Sequence, residues 1–291
     1  MTLPGADASL AAIAPARRRT PRLAALAVYL PAAWIVLGLI ASIASPVLPL
    51  PDPFRQALLR TLQPPSLDHW MGTDGLGRDV LARAILGLRV SLAVGIGSVA
   101  FGLAIGGALG LVAGYFRRRT DLWISAAMTV ILSFPPLVLA VAIISYAGAS
   151  LWLVIVTLGI LFVPAFARIA RANALSLADR EFVLAARAMG MRSGRILFQE
   201  ILPNLAAPLV AYSMLMVAVA IIAEASLSFL GLSVPPPEPT LGSMIAAERA
   251  NLLDAPWAVF GPASLLFLTV LALNILGDQA QRRLDRREAA L

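Results

Sequence analysis

The chain has 291 residues, of which 59% are hydrophobic and only 13% charged, and it carries a net charge of +7. A soluble domain averages about 25% charged residues, so a bilayer is a better solvent for this chain than water. It has no cysteine and no lysine, which excludes disulfides, thiolate metal sites and a phosphate loop closed by lysine, and His69 is its one histidine, which leaves His-based zinc sites and His-dependent triads little to work with. The arginines lie between apolar runs, which points to a membrane face rather than to nucleic acid.

Runs of roughly 17 to 25 apolar residues mark spanning helices. The first predicted span is Leu23–Ala44. Its end, "ASIA", resembles a signal-peptide cleavage site, but the run exceeds the roughly 7–15 residues of a signal-peptide core. An uncleaved span is expected, with cleavage as the competing reading. Next comes "SPVLPLPDPF", Ser45–Phe54, too rich in proline for regular helix. In "MGTDGLGRDVLARAILGLRVSL", Val80, Leu81, Ala84, Ile85 and Leu88 recur at helical spacing among Arg78, Arg83 and Arg89, predicting a short interfacial helix that serves as an elbow.

Span two is predicted over Val90–Tyr115. It carries Ser98, Gly102, Gly106, Gly110 and Gly114 at intervals of four, a stripe of small residues that lets another helix approach closely. That helix could belong to the same bundle or to a second membrane subunit. Span three, Leu122–Tyr146, contains Pro135 and Pro136, which should kink or break it, as a pathway element or as plain packing. Gly148, Ala149 and Ser150 make a tight turn into span four, Leu151–Ala167.

Between spans four and five lies "LADREFVLAARAMGMRSGRILFQEILPN", Leu177–Asn204. Asp179 is the expected N-cap, Glu181 lies in the first turn, and Phe182, Ala185, Ala186 and Met189 form one face. Arg187 sits near the carboxyl end, and Gly190 is the expected left-handed terminator. A second short helix is predicted from Ser193 to just before Pro203. Small alanines on the apolar face favour a close protein contact over lipid insertion.

Span five is predicted from Leu205 to about Leu232 and contains Glu224, the one acid deep in an apolar run. It is read either as a polar lining of a pathway or as the partner of an arginine or a helix cap. "SVPPPEPTLGSMIAAERANLLDAPW" should begin as a stiff proline run and continue as a short helix, before span six, Trp257–Leu276. Arginine placement sets the orientation: 17 of 23 arginines fall on one side, which is therefore expected to be cytoplasmic with both termini. The organisation expected is a tail over 1–22, a first helix over 23–44, an extracytoplasmic segment over 45–89, a five-helix core over 90–278 with its cytoplasmic loop at 172–203, and a tail over 279–291.

"AARAMG" followed by "ILPN" resembles the EAA loop of permease subunits of bacterial ABC importers. "MGTDGLGRDVL", "ASLSFLGLSVPPPEP" and "LNILGD" look like the dipeptide/oligopeptide branch, and their order matches its shorter, C-type permease. Two departures stand out: Leu184 replaces the glutamate of the EAA triplet, and Ser233 stands where the branch often has glycine. The resemblance implies an all-α integral membrane protein with six transmembrane helices and the type I ABC importer permease fold. It implies a coupling helix, with Glu181, Phe182, Leu184, Ala185, Ala186, Arg187, Met189 and Gly190 at the contact. It implies a second homologous permease, two ATP-binding subunits (separate or fused) that hold ATP and Mg, an extracytoplasmic binding protein, and a peptide substrate. Relatives of that branch also carry nickel, opines and other small solutes. No cofactor or metal is expected on this chain itself, and no nucleic acid as partner. Possible pathway or gate positions are Pro135, Pro136 and Glu224. A stand-alone secondary transporter is the rival, disfavoured because the spans offer essentially Glu224 and a few small polar groups, and because no internal repeat is obvious. A membrane enzyme is disfavoured by the absence of HExxH, GxSxG and usefully spaced paired carboxylates.

Overall fold

The computed structural model describes residues 21–45 and 47–288. The expected tail over 1–22, with Arg17, Arg18 and Arg19, lies outside these residues except for its last two, as do 289–291. The described chain is helical, with one isolated β-bridge between Thr73 and Asp79. In order come α1 Pro21–Ala44, α2 Val80–Phe116, α3 Arg118–Leu132, α4 Pro136–Ala147, α5 Leu151–Ala178, α6 Glu181–Ala188, α7 Ser193–Arg195, a π-helical turn Ile196–Ile201, α8 Leu202–Phe229, α9 Leu241–Glu248 and α10 Pro256–Glu288.

Among the described residues, four helices are long and apolar enough to cross a membrane, against the six expected, and the count is five if the bent pair α3–α4 is taken as one span. The apolar part of α1, Val28–Ala44, is shorter. Its Trp34 Nε1 donates to Thr269 Oγ1 of α10 at 3.2 Å, which holds α1 on the flank of the bundle.

The centre of the bundle is the pairing of α2 with α5. Gly102, Gly106, Gly110 and Gly114 face α5, so the stripe serves packing within this chain. A Cβ placed on Gly106 would lie 2.4 Å from the Val163 carbonyl oxygen, and one on Gly110 would lie 2.3 Å from that of Ala167. Only hydrogen fits at these positions, and the two backbones meet directly. Ser98, at the head of the stripe, is buried and donates its hydroxyl to Val94 O in its own helix at 2.6 Å. Phe166, Leu158, Ile144, Ile196, Ile201 and Leu205 fill the surrounding core. A second cluster, with Val80, Leu88, Ile221, Leu241 and Ala258, closes the other end.

Several boundaries differ from the sequence reading; span six, expected to end at Leu276, runs on as α10 to Glu288. The interfacial elbow does not exist as a separate element, because residues 80–89 are the first turns of α2. Asp79 caps that helix by accepting from Ala82 N at 2.7 Å, and Val80, Ala84 and Leu88 are buried against α9 and α10. Span four continues past Ala167 to Ala178 as one helix. The second short helix of the loop does not stop before Pro203; Ser193–Phe229 is a single rod. Pro203 has no N–H to give the preceding turn, and the widened turn at Ile196–Ile201 absorbs that loss without ending the helix.

The break in span three is as expected. Pro135 is extended (ψ 125°), Pro136 takes the first helical turn of α4, and α3 and α4 meet at 79°. The hairpin into α5 turns at Gly148 (φ 89°), and Ser150 Oγ accepts from Leu153 N at 3.2 Å to start α5.

Gly110→Leu drives a side chain into the α5 backbone, and its thermal unfolding midpoint in detergent should fall, reflecting a loss of about 1–3 kcal/mol or more. Gly107→Ala, whose Cβ would meet nothing closer than 3.7 Å, should unfold like the native chain or slightly later. Equal behaviour of the two variants would refute the close-packing account.

Candidate functional site

The end of α2, the start of α3, the end of α5 and the start of the α7–α8 rod gather at one end of the bundle, and that end is rich in arginine. The turn from α2 to α3 passes through Arg117 and Arg118 in left-handed conformation (φ 55° and 48°), unusual for side chains of this size. Arg117 Nη2 holds the turn by donating to Leu175 O at 3.2 Å and to Asp179 Oδ2 at 2.7 Å, both from α5 or its cap. Asp179 is therefore an ion-pair partner and not the N-cap of α6; Arg180 stands at that position without a capping hydrogen bond. Arg171 also pairs with Asp121, tying α5 to α3.

α6 lies across this end as a crosspiece. Val183 and Ala186 are buried, packed in the same core cluster as Ala178, Ile196, Leu197 and Ile201. The face expected from the sequence is therefore divided. Ala186 turns inward, whereas Glu181, Phe182, Leu184, Ala185 and Met189 are exposed. Leu184, which replaces the glutamate of the resembled triplet, is 49% exposed and Met189 is 76% exposed, so apolar surface is offered outward. Phe198, in the π turn that follows, is also exposed, at 69%. Arg187 lies with its guanidinium 4.8 Å from the ring centre of Tyr115, which pins α6 to the end of α2.

α6 ends as its sequence dictates. Gly190 is left-handed (φ 77°), Gly190 N donates to Arg187 O at 3.0 Å, and Met191 N donates to Ala186 O at 3.1 Å. That crossed pair of bonds is a Schellman motif, which satisfies carbonyls the helix would otherwise leave open.

The opposite end holds Glu224, which is fully buried and does not line an opening. Ser91 Oγ donates to its Oε2 at 2.9 Å; Ser228 Oγ and Ser233 Oγ donate to its Oε1 at 2.7 and 3.0 Å. Ser228 has one proton, already given to Glu224, so the 2.7 Å contact with Thr240 requires the threonine hydroxyl to be its donor. Thr240 Oγ1 in turn accepts from Ser243 N at 3.1 Å in a capping box at the start of α9. The carboxylate thus joins α2, α8, the proline segment and α9 through hydroxyls, and among the described residues no arginine pairs with it. Pro135 and Pro136 are exposed, so the structure does not bring the three suggested gate residues to one surface. Among the described residues, no three His, Cys, Asp or Glu side chains come together as metal ligands.

Val183, Arg117 and the Glu224 cradle escaped the sequence reading. The cradle left a signal in Ser228, one helical turn after Glu224. The other partners are remote in sequence and gave none.

The structure is a bundle of long apolar helices with one broken pair and a glycine-ended crosspiece at its arginine-rich end. Residues 106–289 match the model of the family described as binding-protein-dependent transport system inner membrane component. The chain is 42% identical over 224 residues to the dipeptide transport system permease protein DppC of Alkalihalophilus pseudofirmus, covering 77% of this chain and 74% of that one. It is also 42% identical over 221 residues to the glutathione transport system permease protein GsiD of Pectobacterium atrosepticum, covering 76% and 73% of the two chains. A chain from a solved structure described as inward facing conformations of the MetNI methionine ABC transporter superposes with a TM-score of 0.58 at 20% identity, over 70% of this chain and 96% of that one. The fold is that of a type I importer permease, and the chain belongs to the binding-protein-dependent transport inner-membrane component family.

Glu224→Leu leaves three buried hydroxyl donors without an acceptor, at about 1–3 kcal/mol each if unrelieved. Its unfolding midpoint in detergent should drop well below that of Glu224→Gln, which keeps one acceptor oxygen. Ala186→Asp buries a carboxylate against the core and should lower stability as well, so it reports on folding before docking.

Proposed function

We propose that this chain is one of a pair of permease subunits in an ATP-driven importer of di- and oligopeptides. The names borne by its relatives, dipeptide and glutathione permeases at 42% identity, support a peptide cargo. The arginine-rich end is then cytoplasmic, as are both termini, in keeping with the distribution of positive charge. ATP and Mg sit on two partner ATPase subunits, and a binding protein delivers cargo at the far face.

The observation that carries this reading is α6. It is anchored inward by two side chains, ended by a Schellman turn, and faced outward with Phe182, Leu184 and Met189. Exposed apolar side chains on a rigid crosspiece suit a protein groove. Motion of an ATPase that grips this surface reaches α5 through the Asp179–Arg180 turn and α8 through Ile196–Ile201. Rocking of the packed helices then alternates access. The residues carrying the contact are Phe182, Leu184, Ala185 and Met189, with Ala186, Arg187 and Gly190 holding α6 in place and Glu181 at its first turn.

Met189→Asp and Leu184→Asp put charge on the outward face without touching the buried one. Each should cut peptide-stimulated ATPase activity and uptake by about tenfold or more, with normal membrane insertion and unchanged thermal stability of the permease. The assay uses the complex purified with its own partners and reconstituted in liposomes. Full coupling in both variants, or solute movement by the isolated chain, would sink the proposal.

A further inference from the structure

At the end opposite α6, a cavity of about 940 Å³ opens between the 47–79 segment, the carboxyl end of α8, the proline run and α9. Among the described residues lining it are Arg78, Arg83 and Arg249 and one acid, Glu238. Nearby acids are already engaged. Asp74 Oδ2 accepts from Arg78 Nε at 2.7 Å, and its Oδ1 accepts from the backbone N–H groups of Leu76 and Arg78. Glu248 accepts from Gly75 N at 3.1 Å and from Asn251 Nδ2 at 2.8 Å.

Arg83 is left short of an acceptor. Its side chain is 8% exposed, and its Nη1 donates to Pro53 O at 2.9 Å. Its Nε has no hydrogen-bond partner, and the Asp74 Oδ2 atom 3.7 Å away is beyond hydrogen-bond reach. That Nε is closed off from the cavity, but the Arg83 guanidinium as a whole lines it and makes one hydrogen bond, so its outer nitrogens are the ones that can donate to a small molecule held there. Arg249 approaches the same cavity with its guanidinium 5.4 Å from the Phe229 ring centre, an arrangement that leaves the N–H edge free to donate.

We propose that this cavity receives the terminal carboxylate of a peptide, held by Arg83 and Arg249. A carboxylate has the planar, two-oxygen shape that a guanidinium fork matches. A free peptide also carries an ammonium group, and Glu238 supplies the one opposite charge on the cavity wall. The inference rests on the reading of the chain as a peptide importer with this end outermost.

The test is equilibrium binding of Ala-Ala and of its C-terminal amide to the assembled importer in nanodiscs, without the binding protein. The native complex should bind Ala-Ala about tenfold or more tightly than the amide. Arg83→Lys and Arg249→Gln, each measured as an assembled complex, should erase that preference; Arg249 is exposed, so its replacement spares the buried packing. Equal affinity of the native complex for the two probes, or a preference that survives both substitutions, overturns the assignment. So does a pattern in which both variants keep the preference but lose stimulation by the binding protein, since the carboxylate received would then be an acidic side chain of that protein. If the preference fails while reconstituted peptide uptake persists, only this inference falls; if the native importer takes up no peptide, the functional reading falls with it.

Discussion

The backbone contact between α2 and α5 sets the frame for everything else. Four glycines in a row let two long helices touch without side chains between them, and a contact of that kind tolerates little sliding. It fixes both ends of the molecule at once. At one end the α2 terminus places Tyr115 beneath Arg187, and Arg117 where it can reach Asp179. At the other, α2 presents Ser91 to Glu224 and buries Val80, Ala84 and Leu88 beneath α9.

The two ends differ in how they are held. The far end is knit by buried polar groups. Glu224 with Ser91 and Glu248 with Gly75 join segments far apart in sequence, while Asp74 with Arg78 and Glu248 with Asn251 close local turns. In a poorly hydrated setting such bonds are expensive to leave unmade, so the segments are held in one arrangement. The arginine-rich end has fewer of these. α6 rests there on two small buried side chains, one cation–π contact and its own terminal turn, and it leaves its larger apolar groups outside.

Much of this was readable from the sequence where the cause was local. The paired prolines break span three because they lack donors wherever they are placed. Gly190 ends α6 because a left-handed residue is needed at that point. Periodicity also placed the glycine stripe on one face of α2, but it could not say what lay opposite; the answer depends on Val163 and Ala167, about sixty residues away. The same limit explains the misreading of α6. Phe182, Ala185, Ala186 and Met189 make a plausible apolar face by spacing, yet Val183, one position off that face, is the better anchor because Ile196 and Ile201 close over it. Pro203 looked like a stop because proline usually is one, and the π turn that rescues it carries no composition signal. Arg83 read as part of an interfacial stripe, and its solitary Nε depends on loop geometry that no spacing encodes.

The uninterrupted rod from Ser193 to Phe229 has a mechanical meaning. At about 1.5 Å per residue it is roughly 55 Å long. One tip lies beside the crosspiece and the other carries Glu224 and the rim of the far cavity. A stiff bar of that length converts a tilt of roughly 5° at one tip into a displacement of about 5 Å at the other, with no relay of side chains in between. The widened turn at Ile196–Ile201 sits close to the crosspiece, where a fulcrum gives the longest throw.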